Sequence, residues 1–228
     1  MPFRERLDRR RTLDALEDTY ETVAAFAASL DEAGQATPSR CEAWTVRDLL
    51  FHMLLDSQRA LVAFASPSDE PPDTDFVEYW RPFSPDSEWS GAHARFVVVS
   101  AAAYGSGERL ERHRVLVAGA AVRAARASSL ERITTQGHVL EVADFVATLV
   151  VEAAVHYVDL TEAFPNEAPP PASGLDLVAL TLDGLLDAPR PAPWDDFTYL
   201  LKGTGRLPLS PEDRELLGQA ANLFPLFG

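Results

Sequence analysis

The chain has 228 residues, 46% hydrophobic and 24% charged, with a formal net charge of −15. That is the composition of one globular domain, or of one domain with a small appendage, and its acidity argues against nucleic acid and anionic membranes, which select basic surfaces. A single cysteine, Cys41, excludes an internal disulfide framework and a cysteine-rich zinc cluster.

The cations are almost all arginine, Lys202 being the only lysine, and with the abundance of alanine this points to a GC-rich genome. The N-terminus, "MPFRERLDRRR", leads into a mixed helix and not into the apolar core of a secretory signal. No apolar run approaches the ~18 residues of a membrane span, so a soluble, cytoplasmic protein is expected, as a monomer or homodimer.

In chain order, residues 12–33 have helical apolar spacing and end before Gly34. Thr45 followed by Asp48 reads as a helix N-cap with an acidic first turn, opening a second helix over about Val46 to Ala65. Residues 66–89 are rich in Pro, Asp and Ser but carry aromatics, which predicts a long ordered loop or lid. Residues 90–127 are helical in composition, with a break at "YGSG" (104–107), and "TTQG" (134–137) is a turn. The next helix is predicted from about Leu140 to Phe164, followed by a Pro-rich linker at 165–174. Beyond it come a helix at 175–187, a second Pro-rich loop, a β-like run "FTYLL" (197–201) and a helix capped by Ser210 with Pro211 in its first position. The coarse picture is a four- to five-helix bundle with a small C-terminal appendage.

Two of these helices have an unusual polar pattern. Around Glu152, at ~100° per residue, Glu141, Thr148, His156 and Asp159 fall within ~40°, and nearly all of the remaining circumference is Val, Ala, Leu and aromatic. Around His52, Thr45, Asp48, Asp56 and Arg59 fall within the same ~40° strip, and leucines, Phe51 and Met53 fill most of the remainder. An ordinary surface helix has an apolar stripe and a broad polar face; these two have the reverse. A solvent-facing Glu–His pair accounts for either line alone. Two such lines in one bundle raise a second account, because buried polar groups need partners. Two imidazoles and a carboxylate from two helices form a metal-ligand set with an open position, suited to catalytic zinc or to non-haem Fe(II). The other histidines carry less: His113 reads as part of a solvated charged face, His93 stands alone at a helix start, and His138 follows a turn, either exposed or beside the ligands. Cys41 reads as a small buried thiol, and no Ser–His–Asp arrangement is visible.

The stretches "PSRCEAWTVRDLLFHM" (38–53) and "DFVATLVVEAAVHYVDL" (144–160) together resemble the mycothiol-dependent maleylpyruvate isomerase family, one of the DinB-like metal-binding bundles. The first looks like that family's Cys-x-x-Trp-Thr-Val-Arg-Asp-Leu…His segment and the second like its Glu-x-x-x-His-x-x-Asp segment. The resemblance covers about residues 12–164. It implies a mainly α, up-and-down four-helix bundle over 1–164, a linker over 165–174 and a small C-terminal α/β appendage over 175–228 packed on the bundle. It also implies a divalent metal on His52, Glu152 and His156, usually zinc in the family, with nickel or iron as alternatives.

The implied cofactor is mycothiol, the small thiol of actinobacteria. Its sulfur would take the open metal position as a thiolate and attack a small electrophile, in an isomerase or a thiol S-transferase. Asp159 is a candidate acceptor for the second ring nitrogen of a metal-bound histidine, and Asp56, Arg59 and Asp159 are candidates to hydrogen-bond a hydroxyl-rich thiol. Arg206 is the one candidate for the arginine that the prototype's C-terminal domain contributes. "KGTGRLPLS" matches that domain poorly, so maleylpyruvate itself is not implied. The alternatives are a non-catalytic DinB-like metal-binding or stress-associated module and a metal-dependent hydrolase; an open pocket lined by residues 76–90 would separate an enzyme from a closed module.

Overall fold

Asp8 opens the first helix, α1 (Arg9–Ser29), its carboxylate accepting the backbone N–H of Arg11. A single turn, α2 (Glu32–Gln35), follows. The computed structural model describes residues 6–82, 88–188, 190–191 and 193–227, with the side chains of 88–90 excepted. Helix α3 (Val46–Phe64) starts at a reciprocal capping box: the Thr45 hydroxyl accepts from Asp48 N–H at 3.3 Å, and the Asp48 carboxylate accepts from Thr45 N–H at 2.9 Å. The expected break at "YGSG" separates α4 (Glu88–Ala103) from α5 (Gly107–Ala127), with Gly105 at φ +73° and Ser106 capping the second helix.

A hairpin follows, β1 (Arg132–Thr135) antiparallel to β2 (His138–Glu141), with Thr135 opposite His138. Its two-residue turn, Gln136–Gly137, has positive φ at both positions, as the right-handed twist of a tight hairpin requires. Reading "TTQG" only as a turn missed these strands, which are four residues each. The hairpin also takes Leu140 and Glu141, so the next helix, α6 (Val142–Thr161), begins after them. The chain then forms α7 (Ala172–Leu186), α8 (Asp196–Gly203) and α9 (Pro211–Leu217). The start of α7 lies within the stretch expected as linker.

The β-like reading of "FTYLL" is corrected: residues 197–201 belong to α8. Asp195 caps that helix through Thr198 N–H, and Tyr199 and Leu200 are buried. Packing of this face overrides the β preference of Phe, Thr and Tyr. Among the described residues the strands are β1 and β2, and none lies in the C-terminal segment.

The fold is a helical bundle. Helices α1 and α3 each pack against both α5 and α6, and the four enclose one apolar core. Helix α4 lies against α3, α7 covers α1 and α6, and α8 packs on α7. The stretch 66–82 is ordered as expected: Ser66 and Ser68 bond to the hairpin backbone, and Phe76, Val77, Tyr79 and Trp80 are buried. Residues 83–87 of the predicted loop or lid lie outside the described residues. Among the described residues no helix is long and apolar enough to cross a membrane.

Because Thr45 and Asp48 satisfy each other at the start of the helix that carries His52, Thr45→Ala should lower stability by about 1 kcal/mol. Urea denaturation checks this; a change within experimental error would show that the cap contributes nothing.

Candidate metal centre

Helix α6 buries nearly its whole circumference, from Val142 and Phe145 to Val158 and Leu160. The narrow polar line expected on it is present. Thr148 and Asp159 are fully buried, while Glu152 and His156 keep 20% and 15% of their side-chain surface. Helix α3 lies alongside and brings His52 opposite Glu152, with 19% of its side chain exposed. The three groups converge. His52 Nε2 is 3.0 Å from Glu152 Oε1, His156 Nε2 is 3.3 Å from the same oxygen, and the two imidazole centroids are 4.9 Å apart. One donor atom from each residue lies within 4.8 Å of the others.

These separations fit a small divalent ion. Ligand atoms at about 2.0–2.1 Å from a tetrahedral centre are about 3.3 Å from each other. The donor set is also of the right kind, two nitrogens and one carboxylate oxygen.

Behind His156 lies a chain of partners. Its Nδ1 is 3.0 Å from Asp159 Oδ2. The Arg206 guanidinium holds that carboxylate in a fork, Nε to Oδ1 at 2.9 Å and Nη2 to Oδ2 at 2.7 Å. Arg40 closes the cluster, its backbone N–H donating to Asp159 O and its guanidinium to Arg206 O and Glu162. Cys41, expected as a small buried thiol, is partly buried and lies beside this chain, its thiol donating to Asp159 Oδ2 at 3.7 Å with Sγ 4.0 Å from His156 Nδ1.

The electrostatics follow from burial against pairing. For Glu152, burial pushes the carboxyl up, but His156 and His52 together hold it well below the usual range. For His156, burial favours the neutral ring, yet Glu152 and then Asp159 hold its pKa well above the ordinary value. Asp159 is also resisted by burial, and its bonds to His156 and Arg206 bring it down to about 2. A metal replaces the proton that links such a carboxylate–imidazole pair, so the pair that stabilises the metal-free protein is the one an ion would take over.

The other residues of the α3 line go elsewhere. Asp56 and Arg59 form a buried ion pair, with Arg59 Nε 2.9 Å from Asp56 Oδ1. Arg59 also donates to Tyr79 Oη and Gln136 Oε1 and lies 5.4 Å from the Phe145 ring centroid. Burial raises the Asp56 pKa, and nearby Glu152 adds to the rise while Arg59 opposes it. This network joins α3 to the hairpin turn and the loop at Tyr79, and its charges act on the donor cluster through Glu152 and His52. Glu141 is also outside the cluster, paired with Arg6.

His93 is the residue that sequence reading missed. Its Nε2 lies 3.3 Å from His52 Nδ1, and Trp44 packs against both rings, at 5.3 Å from His52 and 6.3 Å from His93. Burial and then His52 lower its pKa. No spacing rule could pair it, because 41 residues separate it from His52. His113 bonds Tyr104 at 2.6 Å, and His138 faces Asp73 on the surface. A cavity of about 730 Å³ between α1, α7 and the Phe76–Val77 segment contains none of the cluster residues.

A helical bundle in which two helices bring two imidazoles and one carboxylate to a point is a bundle with a candidate divalent-metal centre. The chain belongs to the mycothiol maleylpyruvate isomerase N-terminal domain family, whose profile matches residues 16–161. No curated protein and no solved structure matches it.

Asp159 and Arg206 are a buried pair, with 1% and 11% of their side chains exposed. Removing one charge strands the other, so Asp159→Ala should cost about 3–5 kcal/mol. Asp159→Leu combined with Arg206→Met should cost much less than the sum of the two single changes. Additive losses in urea denaturation would show that the pair is not coupled.

Proposed function

We propose that this protein is a thiol-dependent metalloenzyme, with a divalent ion held by His52, Glu152 and His156 and mycothiol as its co-substrate. The observation that carries this reading is the convergence of three donors from α3 and α6 within 4.8 Å in a chain of this family. The ion, zinc in the simplest case, would supply Lewis acidity and lower the pKa of a thiol that reaches it.

The chain's own residues do the rest. Glu152 contributes one negative charge and the two neutral imidazoles none, which leaves a divalent centre net positive and favours an anionic sulfur. Asp159 takes the proton on His156 Nδ1 as acceptor, and Arg206 neutralises Asp159, so this support adds no net charge beside the centre. We read the bundle, residues 1–164, as the unit that carries the site. Residues 175–228 act as an appendage that contributes Arg206 to it. The reaction is addition of the thiol to a small electrophile, as an isomerase or an S-transferase, and the partners are these two small molecules.

Two measurements test this. Zinc or nickel titration should show binding that His52→Ala and His156→Ala each abolish; equal binding in the variants would mean that the ion sits elsewhere. Loading should also stabilise the fold, by about 2.7 kcal/mol at a free metal concentration a hundredfold above Kd. Separately, mycothiol added to cobalt-substituted protein should produce a sulfur-to-cobalt charge-transfer band. If neither mycothiol, glutathione nor cysteine brings sulfur to the ion, the thiol-dependent reading falls and hydrolysis or simple binding replaces it.

A further inference from the structure

The two histidines of the centre are supported differently. His156 faces Glu152 with Nε2 and Asp159 with Nδ1. His52 faces Glu152 with Nε2, and its Nδ1 is 3.3 Å from His93 Nε2. A neutral imidazole has one N–H and one lone pair. If the Nε2 lone pair is given to an ion, the proton must sit on Nδ1, and that proton needs an acceptor. Asp159 is that acceptor for His156.

We infer that His93 is the positioning residue for His52: its Nε2 lone pair accepts the His52 Nδ1–H, fixing the ring's tautomer and its aim at the metal position. This rests on the metal reading of the site proposed above. His93 is not among the donors that converge on the centre, so it acts through His52 and not on the ion. Trp44, packed against both rings, limits their rotation. His93 belongs to α4, which packs against α3 alongside the bundle, so its ring contacts tie α4 to the site.

The choice of imidazole over carboxylate has a consequence. A carboxylate behind His52 would add a negative charge beside the centre. A neutral ring accepts the same proton and leaves the centre its positive charge for an anionic thiol.

The experiment compares zinc affinity, by chelator competition, in the unaltered protein, His52→Ala, His93→Leu and His93→Gln. Long-range ¹H–¹⁵N spectra of the histidine rings in zinc-loaded protein report the tautomer. His93→Leu should bind zinc about 10–100-fold more weakly, with the His52 ring no longer in a single Nδ1–H form. His93→Gln keeps an acceptor oxygen and should recover most of the affinity and the single tautomer. Thermal unfolding of the metal-free variants confirms that each is folded. If His52→Ala removes zinc binding but His93→Leu matches the unaltered protein in affinity and tautomer, the role of His93 is wrong and the metal site stands. If His52→Ala and the unaltered protein hold zinc equally, the site reading fails, and the role of His93 with it.

Discussion

The energetics of this protein turn on one constraint: α6 carries a carboxylate, an imidazole and a second carboxylate into the interior of a bundle. Burial opposes ionisation at Glu152, His156 and Asp159 alike, and in each it is the largest influence on the group. Charges removed from water persist only with close partners of opposite sign or good hydrogen bonds. The surrounding elements supply them: α3 brings His52, the loop before α3 brings Arg40 and Cys41, and the chain after α8 brings Arg206.

That requirement explains why the C-terminal segment matters to a site on the bundle. Helix α7 attaches through ordinary apolar packing, with Leu175, Val178 and Leu182 buried. Arg206 attaches through charge, and Arg40 bonds its backbone carbonyl as well as approaching Asp159. The segment is thus fixed both by area removed from water and by a directional fork, and only the second depends on the state of the site.

The interior holds a second polar network beside the first, and Glu152 acts electrostatically on both its charges. Asp56 and Arg59 neutralise each other and bind Tyr79 and Gln136, which connects α3 to the hairpin. Asp56 is one turn from His52 on α3, yet its charge is satisfied by Arg59, so the three donors of the centre remain free to face each other.

Local signals were sufficient for much of this. The capping box at Thr45–Asp48, the break at Gly105, the Ser210 cap and the inverted polar lines of α3 and α6 depend on residues within one or two turns, and the sequence by itself determined them. His52, Glu152 and His156 were legible for the same reason, since helical spacing places a residue on a face. What faces that face is decided by packing. His93, Arg206 and the adjacent Arg40 and Cys41 reach the cluster from three different points in the chain, and their contacts depend on how α4, the C-terminal segment and the α2–α3 loop dock. Likewise, "FTYLL" has strand-forming residues but becomes helix where its Tyr199–Leu200 face meets α7. The four-residue strands at 132–135 and 138–141 are too short for their own alternation to declare them. A residue's helical face is a local property; its partner across the core is set only when the whole chain has found the packing that buries the apolar faces together.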